Sequence, residues 1–569
     1  MIRAASFAAL ALAVLASAGA AQQSAELPRT HAPRPTSPAI TAEDLMTHLY
    51  ILADDSMMGR DAGKPGNVKG TSYIASQFRR IGLEPGGENG TFFQTVPLVE
   101  KGLMPGAALS VDGTALRHGP DWVPFPEISS NIPFGTRMQT GSVQAVFGGT
   151  IGGPMLDAAQ ARGKLVVLLP PKEANGQGDW RFWANRGMRW YPDAAAVAVV
   201  SLDVTPEGVV EYFFQPQTAI AEDGPSAPRT AAPGILLSNA AARRILGADP
   251  ASMVVGAAGK TVTGGFAFGQ TPVPAPARNV IGILRGSDPS VNGQYVVVSA
   301  HNDHVGMADH PLDHDSVRAF NRVMRPAGAN DDPDEPSNGQ QARITAILDS
   351  MRRAHGGVVR RDSVFNGADD DGSGTVALLE IAEAMAAGPR PRRSILFMSH
   401  TAEEKGLYGS QWFTDHPRVP RDSIVADLNM DMVGRGRPDE VRGGGAYAVQ
   451  MIGSRRLSTQ LGALIDSLNA TRPNRMQIDY TWDAPGHPAN RYCRSDHFMY
   501  ARYGIPITYF SAGYHVDYHQ VGDEPQYIWY DHTVHIAEFV RDVATAVANR
   551  PQRLVVDGRR QDPNAPCRQ

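Results

Sequence analysis

Ser394-Ile-Leu-Phe-Met-Ser-His-Thr-Ala-Glu-Glu404 sets an apolar run of strand length just before two adjacent carboxylates. A run that is apolar at consecutive positions is buried on both faces, as a central strand covered by helices is. Four more such runs follow the same rule: Asn279 to Leu284, Tyr295 to Ala300, Ile424 to Leu428 and Pro506 to Phe510. Helical patterns lie between several of them. The expected fold class is therefore α/β, a mixed central sheet flanked by helices, with functional side chains at the carboxyl ends of strands.

Working outward from that stretch, five strand-to-loop junctions offer metal-ligand types in the order His, Asp, Glu, Asp, His. They are Ser299-Ala-His-Asn-Asp303, Gly367-Ala-Asp-Asp-Asp-Gly-Ser-Gly374, Thr401-Ala-Glu-Glu404, Asn429-Met-Asp431 and Tyr518-His-Gln-Val-Gly-Asp523. Three carboxylates and two imidazoles suit a pair of Zn²⁺ ions that share one carboxylate, because borderline cations take nitrogen and oxygen donors together. Such a centre predicts metal-assisted hydrolysis. Asp303, two residues after His301, has the spacing of a carboxylate that orients a ligating imidazole. Of Glu403 and Glu404, one can bind metal while the other accepts the proton of water. Asp431 ends an apolar stretch where a lone acid is costly. Composition alone does not choose within Asp369-Asp370-Asp371, nor between His515 and His519. Each segment also has a plainer reading, as a strand-end histidine, a solvated acidic turn or a pair of surface glutamates.

A chain of 569 residues is too long for one ordinary core, so two or more domains are expected. A net charge of -5 and the lack of a basic run exclude nucleic acid as an expected partner. Ala4 to Ala21, preceded by Arg3 and closed by small residues, has the order of a secretory signal peptide over residues 1–21, cleaved after Ala20 or Ala21. An uncleaved anchor is the alternative, although the run is short for a span. Export places the protein in the periplasm or outside the cell, with no membrane span after cleavage. There Cys493 and Cys567 either pair or remain as thiols.

A Pro-rich leader occupies 22–40, and Thr41-Ala-Glu-Asp44 then starts a helix. From about 103 to 270, short β-branched runs between Gly and Pro, among them Leu165 to Leu169, Ala196 to Val200 and Ile235 to Leu237, indicate an inserted β-rich domain. Thr271-Pro-Val-Pro-Ala-Pro276 reads as a stiff linker. An acidic insertion spans 305–365, with a helix from about Gln341 to Arg353 as its only clear element. The rest reads as a lid or a loose loop, whose acids together with His304, His310 and His314 offer an extra cation site. A tail of 551–569 follows.

The five segments resemble the M28 family of zinc peptidases, whose members include bacterial aminopeptidases, glutamate carboxypeptidase-like enzymes and glutaminyl cyclases. The resemblance rests on Val296-Val-Val-Ser-Ala-His-Asn-Asp-His-Val-Gly306, Asn366-Gly-Ala-Asp-Asp-Asp-Gly-Ser-Gly374, Ala402-Glu-Glu-Lys-Gly-Leu-Tyr-Gly-Ser410, Leu428-Asn-Met-Asp-Met-Val-Gly434 and Tyr518-His-Gln-Val-Gly-Asp523. It implies a zinc-exopeptidase (phosphorylase/hydrolase-like) domain over 41–102 and 277–550, with two Zn²⁺ ions as cofactors. His301, Asp370 and Asp431 would hold one ion, and Asp370, Glu404 and His519 the other. Glu403 becomes the general base, Asp303 supports His301, and the Asp370–Asp371 peptide is cis. Tyr492-Cys-Arg-Ser-Asp-His497 is similar to the stretch that supplies an oxyanion-stabilising tyrosine, here Tyr492. The adjacency of Ser495, Asp496 and His497 is no sign of a serine triad. The insert resembles a protease-associated domain at Gly163-Lys-Leu-Val-Val-Leu168 and at Gly234 to Arg244.

The resemblance implies an exported dinuclear zinc aminopeptidase acting on peptides. Its alternatives are a glutamate-carboxypeptidase-like enzyme or dipeptidase, for which Arg435, Arg491 and Arg494 offer carboxylate-binding groups, then a glutaminyl cyclase, and last a non-catalytic receptor-like protein. The insertion between His301 and Asp370 is longer than is usual in the family.

Overall fold

The computed structural model describes residues 27–125, 137–172, 178–179, 191–221 and 232–569. The signal-peptide segment lies outside the described residues. Helix α1 (Ala42–Leu52) starts where expected, with the Thr41 hydroxyl accepting the Asp44 N–H at 3.1 Å. Helix α2 (Pro65–Ile81) opens on proline and closes on Gly82, whose φ of 83° no β-carbon residue adopts readily.

Six strands carry the larger sheet: β1 (Ala277–Leu284), β2 (Tyr295–His301), β3 (Ser394–His400), β4 (Ile424–Met430), β5 (Ala448–Ile452) and β6 (Ile507–Ser511). Their order is β1-β3-β2-β4-β6-β5, with short edge strands completing nine. Strands β3, β2, β4 and β6 are parallel neighbours, while β1 and β5 run antiparallel to theirs. The sheet is thus mixed, and the parallel strands end together on one edge, with His301 level with His400.

Alternate side chains of these strands go to opposite cores. Val296, Val298, Ile395 and Phe397 pack beneath α1, α2, α3 (Gly374–Ala387) and α4 (Tyr530–Asn549), whereas Val297, Leu396 and Met398 meet Phe413, Phe498 and Tyr500. Burial on both faces explains why these strands read as continuous apolar runs. Among the described residues, no helix is long and apolar enough to cross a membrane.

A second, ten-stranded sheet with its own apolar cores contains Leu165–Leu169, Ala196–Val200 and Gly234–Leu237. Its limits differ from the expected 103–270. Leu98–Leu103 already pairs with the long strand Ala258–Pro272, so the stiff linker begins two residues late.

The insertion at 305–365 departs further from expectation. Met307–Asp313 and Arg361–Val364 form a ribbon, and helices His314–Met324 and Asn338–Ala354 bury Ala319, Val323, Met324 and Ile344 between them. It is docked against the segment that carries His519: the Ala329 N–H donates to the Tyr514 carbonyl at 3.1 Å, and Arg318 donates to the Gly522 carbonyl at 3.1 Å.

Cys493 and Cys567 form a disulfide across 74 residues of sequence. Closing a loop of that length removes unfolded-chain entropy, and its loss should cost about 2–5 kcal/mol. The expected result is a lower denaturant midpoint for the double variant Cys493→Ser/Cys567→Ser, measured against the oxidised protein. An unchanged midpoint would show that the bridge does not constrain the unfolded chain.

Candidate metal centre

The ends of the four parallel strands deliver the candidate ligands. His301 is the last residue of β2, Glu403 and Glu404 follow β3, Asp431 follows β4, and His519 lies in the loop after β6. Asp370 comes from the turn that enters α3, and its peptide bond to Asp371 is cis.

The structure sorts the three consecutive aspartates by what their oxygens already do. Asp369 accepts from Ser373 Oγ at 2.8 Å and the Gly434 N–H at 2.6 Å. Asp371 accepts the N–H groups of His301, Gly374 and Met432 at 2.9, 3.0 and 3.2 Å. Asp369 Oδ2 also faces His515 Nε2 at 3.3 Å, whereas Asp370 turns its carboxylate toward both His301 and His519. Its Oδ1 is 3.1 Å from His301 Nε2, and its Oδ2 is 3.0 Å from His519 Nε2. His519 Nε2 is also 3.0 Å from Glu404 Oε2, while Asp431 Oδ1 is 3.8 Å from His301 Nε2. Two donor clusters therefore share Asp370: one with His301 and Asp431, the other with Glu404, His519 and His304.

The donors fit a pair of zinc-like ions. His301 Nε2, Asp370 Oδ2, Asp431 Oδ1 and His519 Nε2 are buried without a hydrogen-bond partner, which is costly unless a cation satisfies them. In the protein alone, burial lowers the affinity of both imidazoles for protons. The facing carboxylates outweigh it, holding His301 well above its usual range and His519 up to about 10. The site thus draws positive charge, and a metal would displace protons from it.

The adjacent glutamates differ. Burial pushes Glu403 well above the carboxylate range, with Glu404 and Asp431 adding repulsion against the attraction of His301. Burial and Asp370 also raise Glu404, but the hydrogen-bonded His304 and the adjacent His519 imidazole prevail and leave it lowered. Two carboxyls driven apart in this way suit different tasks, proton carrier and ligand.

Asp303 stands beside His301 as expected and has a further task. His301 Nδ1 lies 3.1 Å from the Asp303 backbone carbonyl and 3.7 Å from its carboxylate. The carboxylate also accepts the N–H groups of Glu403 and Glu404 at 3.1 and 3.3 Å, fixing the turn that aims both. Tyr492 is not brought to the pocket. Its N–H is tied to the Gln569 side chain at 3.0 Å and its ring is buried beneath Arg456, on the core side next to Phe498. Tyr514 and Tyr518 line the pocket in its place, a space of about 300 Å³ shared with Glu403, Glu404, Arg494 and His519.

Sequence reasoning missed two residues. Arg60, buried, donates to the carbonyls of Asn302, Asn366 and Gly367 at 3.1, 2.6 and 2.8 Å, joining the His301 and Asp370 loops. His304 stands inside the second donor cluster rather than with His310 and His314. His314 is paired with Asp315 and Glu524 and His310 is exposed, so the three do not form a separate cation site among the described residues. None of the residues lining the pocket comes from 305–365. The insertion buttresses the His519 loop rather than covering the site.

Residues 336–544 match Peptidase family M28. The chain is 34% identical over 203 residues to a probable glutamate carboxypeptidase, AMP1, of Arabidopsis thaliana, covering 33% of this chain and 26% of that protein. It is 30% identical over 197 residues to leucine aminopeptidase 1 of Penicillium rubens, covering 32% of this chain and 48% of that one. The chain thus spans less than half the length of either relative. Among solved structures it is similar to an aminopeptidase from Aneurinibacillus sp. strain AM-1, at 16% identity and a TM-score of 0.45, covering 92% of this chain and 98% of that one.

Proposed function

We propose, for a chain whose residues 336–544 belong to Peptidase family M28, that the protein is an exported exopeptidase that works with two zinc ions and removes N-terminal residues from peptides. The observation that carries this reading is Asp370, which turns one carboxylate oxygen to each of two imidazoles. His301, Asp370 and Asp431 would hold one ion, and Asp370, Glu404 and His519 the other. Ions bound there supply Lewis acidity to the scissile carbonyl and lower the pKa of water.

Glu403 lines the same pocket but belongs to neither donor cluster, so its carboxylate is left to accept a proton from the attacking water. It then returns that proton to the leaving amine. Asp303 positions both glutamates through their N–H groups. The likeness to leucine aminopeptidase 1 of Penicillium rubens favours aminopeptidase action. Export is supported by the apolar Ala4 to Ala21 segment and by the Cys493–Cys567 disulfide, which suits an oxidising compartment.

The test is hydrolysis of peptides blocked at one end or the other by the zinc-loaded protein. Cleavage only with a free N-terminus is expected, and cleavage only with a free C-terminus would overturn the assignment.

One observation favours a second reading, action on dipeptides or C-terminal residues. Arg435 is buried and held by Glu440 and Asp517, and Arg491 lies between the rings of Trp482 and Tyr514 at 4.0 Å from each. Arg494 alone of the three lines the pocket, exposed, and no carboxylate is paired with it among the described residues. If it receives a substrate carboxylate, Arg494→Met should raise KM for dipeptides about 10- to 100-fold, the weight of a charge-assisted hydrogen bond, and leave C-terminally amidated peptides unchanged. Equal KM changes for both substrates would remove this reading.

A further inference from the structure

We propose that His304 is a direct ligand of the ion held by Asp370, Glu404 and His519, an inference that rests on the two-ion reading above. His304 follows His301 by three residues, and its side chain is fully buried. Its Nδ1 lies 2.8 Å from Glu404 Oε1 and 3.7 Å from Asp370 Oδ2. The ring stands at 75° to that of His519, with the centroids 5.4 Å apart, so the two imidazoles converge from different directions. One donor atom from each of His304, Asp370, Glu404 and His519 falls within 4.8 Å of all the others. That is the spacing of four donors around one point.

The surroundings hold the ring there. The His304 N–H donates to the Arg60 carbonyl at 3.3 Å. Gly367 forms the wall behind it: a β-carbon at that position would come within 2.4 Å of His304 Cγ. A glycine there keeps room for the imidazole. Among the described residues, nothing comparable serves the other cluster, which has only His301, Asp370 and Asp431.

The two positions are then unequal. Four protein donors complete a tetrahedral shell, as in a closed structural site, while three leave a position open for water or substrate. The ion at His304 would be the tightly held one, and the open position would belong to the ion at His301 and Asp431. The competing arrangement is a His304 Nδ1–H that only donates to Glu404 and orients it.

X-ray absorption at the zinc edge, together with metal content, separates these on the full-length protein loaded with zinc. The expected result for the wild type is two zinc ions sharing three imidazoles. In His304→Asn one imidazole is lost, and the dissociation constant of one zinc equivalent rises more than about 100-fold, beyond the roughly 10- to 100-fold of an orienting partner. Two imidazoles shared by two ions in the wild type would overturn the assignment without any variant, so a His304→Asn protein that fails to fold does not obstruct the test. If the wild type holds a single zinc, the two-ion reading fails on its own. Loss of one imidazole in the variant would still support His304 as a ligand, and an unchanged count would reject it. A protein that binds no zinc overturns both.

Discussion

Glu403→Gln should leave a folded protein that holds its full complement of zinc and turns over at least about 10²- to 10⁴-fold more slowly, the usual contribution of a general base. The amide keeps the shape of the side chain, and the Glu403 N–H retains its bond to Asp303, so the turn that aims Glu404 is undisturbed. What disappears is a buried carboxylate that lines the pocket and belongs to neither donor cluster. Metal content and kcat must be measured on the same preparation. Turnover within a few-fold of the wild type, with zinc retained, would end the role assigned to Glu403. Loss of zinc in parallel with activity would instead make it a ligand.

Asp370→Ala should have the second large effect, and a different one. Because one carboxylate faces both imidazoles, a single truncation removes a donor from each cluster. Both zinc equivalents should weaken together, and activity should fall to background at ordinary zinc concentrations. Melting temperature gives an independent reading. A ligand present at 100 times its dissociation constant stabilises the native state by about 2.7 kcal/mol. The wild type should therefore melt higher with zinc than without it, and Asp370→Ala should show no such increment. A variant that loses one equivalent and keeps the other at wild-type affinity would refute the shared carboxylate.

The sheet was legible because its central strands leave no exposed face. The runs at Tyr295, Ser394 and Ile424 begin where the strands begin, and end one or two residues short only because polar His301, His400 and Asn429 are also in the strands. The ligand segments were legible as an ordered set. Their division of labour came only from the family resemblance and not from the residues themselves, since it depends on which aspartate already accepts backbone N–H groups, a long-range fact. The inserted helix His314–Met324 escaped notice behind its acidic surroundings, although Ala319, Phe320, Val323 and Met324 have helical spacing and Asp313 caps it. Tyr492 shows the opposite failure. A segment match identifies a residue type, but here the ring lies against Arg456 and beside Phe498.

Arg60 carries a consequence for how the protein is made. Its guanidinium joins the loop after β2 to the loop before α3, yet it belongs to the N-terminal segment and is separated from Asn302 by 242 residues of sequence. All five expected ligands lie downstream of Ala277, on the far side of the second sheet. A ribosome therefore releases the clamp long before the first ligand. The N-terminal helices must wait, uncovered, until the strands of the larger sheet are synthesised. The order of synthesis thus delays assembly of the centre until nearly the whole chain is available, and a C-terminal piece bearing every ligand would still lack the residue that holds the two loops together.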